Sequence, residues 1–211
     1  MTEKGIIVCI SGFSGVGKGT LVKRLIEEYP DRYALSISMT TRSPREGEED
    51  GHDYFFVTDE EFRDKIRNGG LVEYARYCEH YYGTPRGYVQ KQLEEGRDVI
   101  LEIEIQGALQ IREKYPTTHL MFVMPPDVKS LYDRLSKRGT EPTDVIEKRM
   151  ARAIVESEGV EKYDSIVVND DLDTCVEQMH EIIECAHKAP QCNAQFIDKI
   201  REELSALSKA E

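Results

Sequence analysis

The sequence predicts an α/β fold: a parallel sheet core flanked by helices, with an inserted lobe. Three observations lead there. Short apolar runs alternate with helical stretches, a glycine-rich turn links the first run to the first helix, and residues 36–97 shift in character towards tyrosine, arginine and glycine. A chain of 211 residues suits one core with insertions, divided as core 4–35, 98–130 and 156–190, lobe 36–97, a helical segment at 131–155 and a helical extension at 191–211.

Gly5-Ile6-Ile7-Val8-Cys9-Ile10 is a continuous apolar run of strand length, and Thr20 to Glu28 has helical spacing at Leu21, Leu25 and Ile26. Residues 53–57 and 71–77 read as polar strands of the lobe. Between them, Thr58-Asp59-Glu60-Glu61 matches a capping box; further on, Thr84-Pro85 suggests an N-cap ahead of a proline in the first turn. Runs at 98–105, 119–124 and 165–168 supply further strands. Asp127 is expected to cap a helix reaching Arg138, where Gly139 breaks it. Helices at 172–188 and from about Ala194 complete the chain. The last carries a narrow stripe of Phe196, Ile197, Ile200, Leu204 and Leu207, which packs either on the body or on a second copy, so a homo-oligomer stays open.

Hydrophobic residues make up 39% and charged residues 32%, the balance of a folded globular protein. A formal charge of -12 argues against a nucleic-acid polymer as partner, and makes any anion site depend on local arginines, lysines and backbone amides. No apolar run approaches the ~20 residues that span a bilayer, and Met1-Thr2-Glu3-Lys4 leads into the first strand without a signal-peptide pattern, so a cytoplasmic protein without a membrane partner is expected. Five cysteines without a CxxC pair suit reduced thiols. His180, Cys185, His187 and Cys192 are spread over different faces and a proline break, which argues against zinc.

Gly12-Phe13-Ser14-Gly15-Val16-Gly17-Lys18 fits GxxxxGK between a strand and a helix. Glycines let successive N–H groups turn inward onto phosphate oxygens, the helix adds its positive end, and Lys18 reaches the β and γ phosphates. ATP with Mg²⁺ is the expected ligand. Gly19 stands where a magnesium-binding Ser or Thr usually follows the lysine, with Thr20 one place late, so the direct metal ligands are not assigned; Glu102 is an alternative acidic group for that neighbourhood.

Ser36-Ile37-Ser38-Met39-Thr40-Thr41-Arg42-Ser43-Pro44-Arg45-Glu46-Gly47-Glu48, followed by Gly51-His52-Asp53-Tyr54-Phe55-Phe56, offers two planar guanidinium forks and a phenol suited to a phosphate, although its acidic residues would equally suit a solvated loop. This run resembles the nucleotide-monophosphate segment of guanylate kinases, and the likeness extends in order through Glu73, Tyr81-Tyr82-Gly83-Thr84, residues 101–107, Arg134 to Glu141 and residues 168–172. The resemblance implies a P-loop nucleoside-monophosphate kinase that moves the γ-phosphate of ATP onto GMP, and dGMP as well. It implies Arg42, Arg45, Tyr54 and Tyr82 for the GMP phosphate, and Ser38, Glu73, Gly83, Thr84 and Glu104 around guanine, with Glu102 nearby. It further implies that residues 131–155 form a helical lid, with Arg134, Arg138 and Arg149 as lid arginines on the transferring phosphoryl group, and Asn169 beside adenine. The family usually has aspartate where this chain has Glu104.

Two other readings remain at this stage: a guanylate-kinase-like module that holds phosphopeptides without catalysis, and a P-loop kinase for another phosphorylated small molecule. Lys18, Arg138 and Arg149 speak against the first, and the acidic residues of the base pocket against the second.

Overall fold

The computed structural model describes residues 4–45, 47–77, 79–137 and 143–207. The first elements are β1 (Ile7–Gly12), α1 (Lys18–Glu28), β2 (Tyr33–Leu35), β3 (Met39–Thr40), β4 (Phe55–Phe56) and α2 (Asp59–Arg67). Then come β5 (Leu71–Tyr77), β6 (His80–Pro85), α3 (Arg86–Glu94), β7 (Asp98–Glu102), α4 (Ile105–Lys114) and β8 (His119–Met124). The chain continues with α5 (Val128–Lys137), α6 (Thr143–Ser157), β9 (Ser165–Val168), α7 (Leu172–Ala186) and α8 (Ala194–Leu207).

Five parallel strands in the order β2-β7-β1-β8-β9 form the central sheet. β1 is its middle strand, and its unbroken apolar sequence follows from burial on both faces. Alternate side chains go to opposite sides: Ile6, Val8 and Ile10 join a core with Leu21, Leu25, Val176 and Met179 of α1 and α7. Ile7 and Cys9 join another with Val89 of α3 and Ala108 and Ile111 of α4. Fully buried Leu21 and Leu25 each stabilise the fold by ~1.5–3 kcal/mol relative to exposure. Because all five strands run the same way, the loops after β1 and β7 open on one edge, where α/β sheets bind ligands.

A second sheet, β4-β3-β6-β5, lies within residues 39–85 and has its own small core of Met39, Phe62 and Leu71. The predicted capping box is present, with Glu61 N–H donating to Thr58 Oγ1 and Thr58 N–H donating to Glu61 Oε2. Asp127 also caps as expected, its Oδ1 accepting from Ser130 N–H at 2.6 Å.

Some expectations give way. Thr84 does not cap α3; Pro85 stands at the cap position without a side-chain bond, and the Thr84 hydroxyl is drawn into the lobe by Glu73. The strand expected over 98–105 ends at Glu102, because Glu104 already caps α4 with its backbone. The end of the lid helix at Arg138 and Gly139 lies outside the described residues. Of the α8 stripe, Phe196, Ile200, Leu204 and Leu207 are exposed and Ile197 is half-buried.

Candidate active site

Helix α1 starts directly after the glycine loop, and its cap residue, Gly17, has no side chain to bond the first-turn amides. That leaves the end of the helix, with its partial positive charge, for an anion. Gly17 has φ +99°, and a Cβ there would lie 2.7 Å from Asn169 Nδ2. The close approach is used, since Asn169 Nδ2 donates to the Val16 carbonyl at 2.8 Å and ties the loop to the end of β9. Phe13 and Val16 anchor the loop in the core, while Ser14, Gly15 and Gly17 are half-buried and Gly19 and Thr20 exposed. Lys18 Nζ donates to the carbonyls of Gly12 at 2.8 Å and Phe13 at 3.3 Å, so the ammonium already lies along the loop.

In the lobe, Arg42 presents its fork to Glu48, with Nη2 to Oε1 and Nη1 to Oε2 both at 2.9 Å. Its guanidinium lies 5.5 Å from the centre of the Tyr54 ring, and Tyr54 meets Tyr82 edge-on with centroids 6.0 Å apart. Burial, with further help from Tyr82, raises the Tyr54 pKa, so the phenol remains a neutral donor. The Glu48 carboxylate is held below its ordinary pKa by Arg42 and by the Arg45 backbone N–H at 2.8 Å. The side chain of Arg45 is exposed beside this cluster. A bidentate acid on Arg42 marks where a phosphate would sit.

Glu73 is 6% exposed and accepts from Thr84 Oγ1 at 2.7 Å through Oε1. Burial raises its pKa, partly offset by the Thr84 bond and by Lys114. Its Oε2 lies beside Gly107 in the first turn of α4, the helix Glu104 precedes. Gly83 is required by packing: a Cβ there would come within 2.9 Å of both the Glu73 carbonyl and the Phe62 ring. Ser38, half-buried, holds β4 by its carbonyl, which accepts from Phe55 N–H at 2.9 Å.

Glu102 ends β7 at the mouth of the phosphate loop, with Oε2 3.6 Å from where a Cβ of Gly19 would be. Its carboxyl is open to solvent, yet the dense protein behind it raises the pKa by desolvation, with Lys18 lowering it and Glu104 raising it. This oxygen donor faces the missing loop hydroxyl and suits Mg²⁺. Among the described residues no group of three or more His, Cys, Asp or Glu could hold a metal, so phosphate oxygens and water would complete its shell. In the C-terminal region, His180 instead stacks on Tyr29 and bonds Tyr33, while His187 bonds Asp98.

Arg134 clasps the site through backbone carbonyls, donating to Val16 at 3.0 Å and Asn169 at 2.7 Å. Its guanidinium thus ties the loop to the segment after β9. Arg149 is half-buried on α6. Arg138 lies outside the described residues.

A family model described as guanylate kinase matches residues 4–186. The chain is 47% identical to the guanylate kinase of Latilactobacillus sakei over 203 residues, covering 96% of this chain and all of that one. It is 47% identical to the guanylate kinase of Caldanaerobacter subterraneus over 201 residues, 95% of this chain and 97% of the relative. The crystal structure of guanylate kinase from Anaplasma phagocytophilum superposes with a TM-score of 0.71 at 28% identity, covering 90% of this chain and 89% of that one.

This chain belongs to the guanylate kinase family.

Within that family, two side chains that sequence reasoning did not single out enter the site. Glu48 passes for one of several acids in a charged loop, and only the turn that brings Glu48 N–H onto the Arg45 carbonyl returns it to Arg42. Arg152 follows Arg149 on α6 and reaches Glu104, Nη2 to Oε2 at 2.8 Å. Its spacing from Glu156 suggests only an exposed i,i+4 pair, so no local signal announces the contact. Among the described residues no helix is long and apolar enough to cross a membrane.

Proposed function

We infer that this chain transfers the γ-phosphate of ATP to GMP, giving ADP and GDP, and accepts dGMP as well. The observation that carries the choice of acceptor is Glu73, a buried carboxylate held by Thr84 in the lobe that also bears Arg42, Tyr54 and Tyr82. Guanine presents N1–H and N2–H₂ donors that a carboxylate accepts, whereas adenine has an unprotonated N1. A pocket built to accept those protons rejects a base that lacks them.

Each side chain then has a task. The amides of residues 12–17 and the α1 end cradle the ATP phosphates, and Lys18 exchanges its carbonyl partners for phosphate oxygens. Arg42 exchanges Glu48 for the GMP phosphate, assisted by Arg45, Tyr54 and Tyr82. Ser38, Glu73, Thr84 and Glu104 orient guanine, while the loop at Asn169 lies against adenine. Arg138 and Arg149 neutralise charge as the phosphoryl group moves, and Arg134 keeps the loop in shape. Glu102 would help to hold Mg²⁺, which would supply electrostatic stabilisation of the ATP phosphates. No general base is needed, because the acceptor phosphate ionises near neutrality. The lobe at 36–97 and the lid at 131–155 close on the core, exclude water and set the acceptor in line. The chain works in the cytoplasm, where both nucleotides occur.

A coupled ADP-release assay with GMP, dGMP, AMP, CMP and UMP tests this. GMP should be the best acceptor, and turnover should require Mg²⁺. Equal turnover of AMP and GMP would sink the assignment.

A further inference from the structure

Glu104 occupies the cap position of α4, but its side chain makes no cap bond to that helix. It reaches instead across to α6, where Arg152 Nη2 donates to Oε2 at 2.8 Å. The same guanidinium donates through Nε to Glu156 Oε1, also at 2.8 Å. Glu156 is nearly buried, its side chain 11% exposed, and its Oε2 has no partner among the described residues. Arg152 is therefore seated on α6 by an inner carboxylate and extended by its planar fork to an outer one. A lysine, with one point charge on a flexible stem, cannot reproduce two bonds in fixed geometry.

The outer carboxylate stands at a junction. Glu104 precedes the turn of α4 against which Glu73 Oε2 rests, at Gly107, so it borders the pocket read above as the guanine site. The Glu104 side chain spans from the start of α4 to α6. The bond to Arg152 uses Oε2, leaving Oε1 to accept from a base.

We propose that Arg152 is a positioning residue that couples guanine recognition to the seating of α6: it holds Glu104 by one oxygen so that the other faces the base, and guanine bound there draws the lid helix onto the core. The proposal rests on the reading of Glu73 and Glu104 as the guanine pocket. An ordinary exposed ion pair contributes little stability and nothing to substrate choice. The Glu104 side chain is 69% exposed, so stability alone does not separate the two cases, and substrate preference does.

The experiment is steady-state kinetics of the full chain carrying Arg152→Ala, Arg152→Lys, Glu104→Gln, and Arg152→Ala with Glu104→Gln together. GMP and AMP are the acceptors, and thermal unfolding of each variant is measured in parallel. Arg152→Ala should raise the KM for GMP and narrow the GMP-to-AMP preference by about fivefold or more, the scale of a modest coupling between sites. The KM for ATP should stay within about twofold, and Arg152→Lys should recover only part of the loss. The double variant should be no worse than Glu104→Gln alone, since both remove the same link. An unchanged GMP-to-AMP preference in Arg152→Ala would overturn the proposal, with or without a fall in Tm, as would losses that multiply in the double variant. Wild-type protein that fails to use GMP would overturn the functional reading beneath it; an active wild type with an indifferent Arg152→Ala overturns this inference alone.

Discussion

Glu73→Gln isolates base recognition from the rest of the site. The substitution keeps the shape of a side chain only 6% exposed, and its amide oxygen can still accept from Thr84 Oγ1, now at 2.7 Å, so the lobe should fold unchanged. The lost element is an acceptor of charge-assisted bonds from guanine, each worth about 1.5–3 kcal/mol. The amide also turns an N–H₂ group towards guanine donors. A net loss of about 3–4 kcal/mol in kcat/KM for GMP follows, roughly a hundred- to a thousandfold. AMP should lose nothing and can gain, because an amide donor matches adenine N1. Stability should move the other way. Burial raises the Glu73 pKa, so the folded state disfavours its charge at neutral pH, and a neutral amide should hold or raise the Tm. Steady-state kinetics with both acceptors and a thermal melt provide the measurements. A kcat/KM for GMP within about fivefold of wild type, or equal losses for GMP and AMP, would refute the role of Glu73.

Lys18→Ala should abolish phosphoryl transfer while GMP affinity survives, because the ammonium lies along the loop at Gly12 and Phe13; calorimetric titration with GMP checks the separation. Arg42→Ala should raise the GMP dissociation constant clearly, whereas Arg149→Ala should lower kcat by about a hundredfold with little change in GMP binding, the scale of a missing electrostatic donor. Kinetics paired with equilibrium titrations would expose a misplaced arginine as a variant with the wrong one of these defects. At the opposite edge of the sheet, His187 Nε2 meets the fully buried Asp98 at 2.8 Å, with Arg32 also 3.9 Å from that carboxylate. Asp98 raises the His187 pKa above its ordinary 6.5, against desolvation. Its contribution to stability is complete below pH 6.5 and is lost as pH rises through the raised value, so Tm should fall over that window and His187→Gln should flatten the fall.

Much of this protein is written in local sequence. β1 and β8 follow from apolar runs, because inner strands of a parallel sheet are buried on both sides, and the edge strand β9 is legible from its short apolar run although Ile166 and Val168 are exposed. The α2 box is legible because its partners are three residues apart, and the glycine loop because its spacing lies between a strand and a helix. The two-residue strand β3 leaves too short a pattern to read, and β4 keeps only Phe55 and Phe56 of the strand read over 53–57; the lobe pairs the two side by side. Thr84 misleads for a related reason: its hydroxyl is claimed by Glu73, eleven positions back in the chain and adjacent only across the β5–β6 pairing. The pairing of Arg152 with Glu104 belongs to the same class, whereas Glu48 meets Arg42 within one loop through the turn at Arg45. Composition names the charged groups, and residue spacing places those that share a helix or a turn. Which carboxylate meets which guanidinium across two lobes depends on chain closure over tens of residues, so only the tertiary structure decided it.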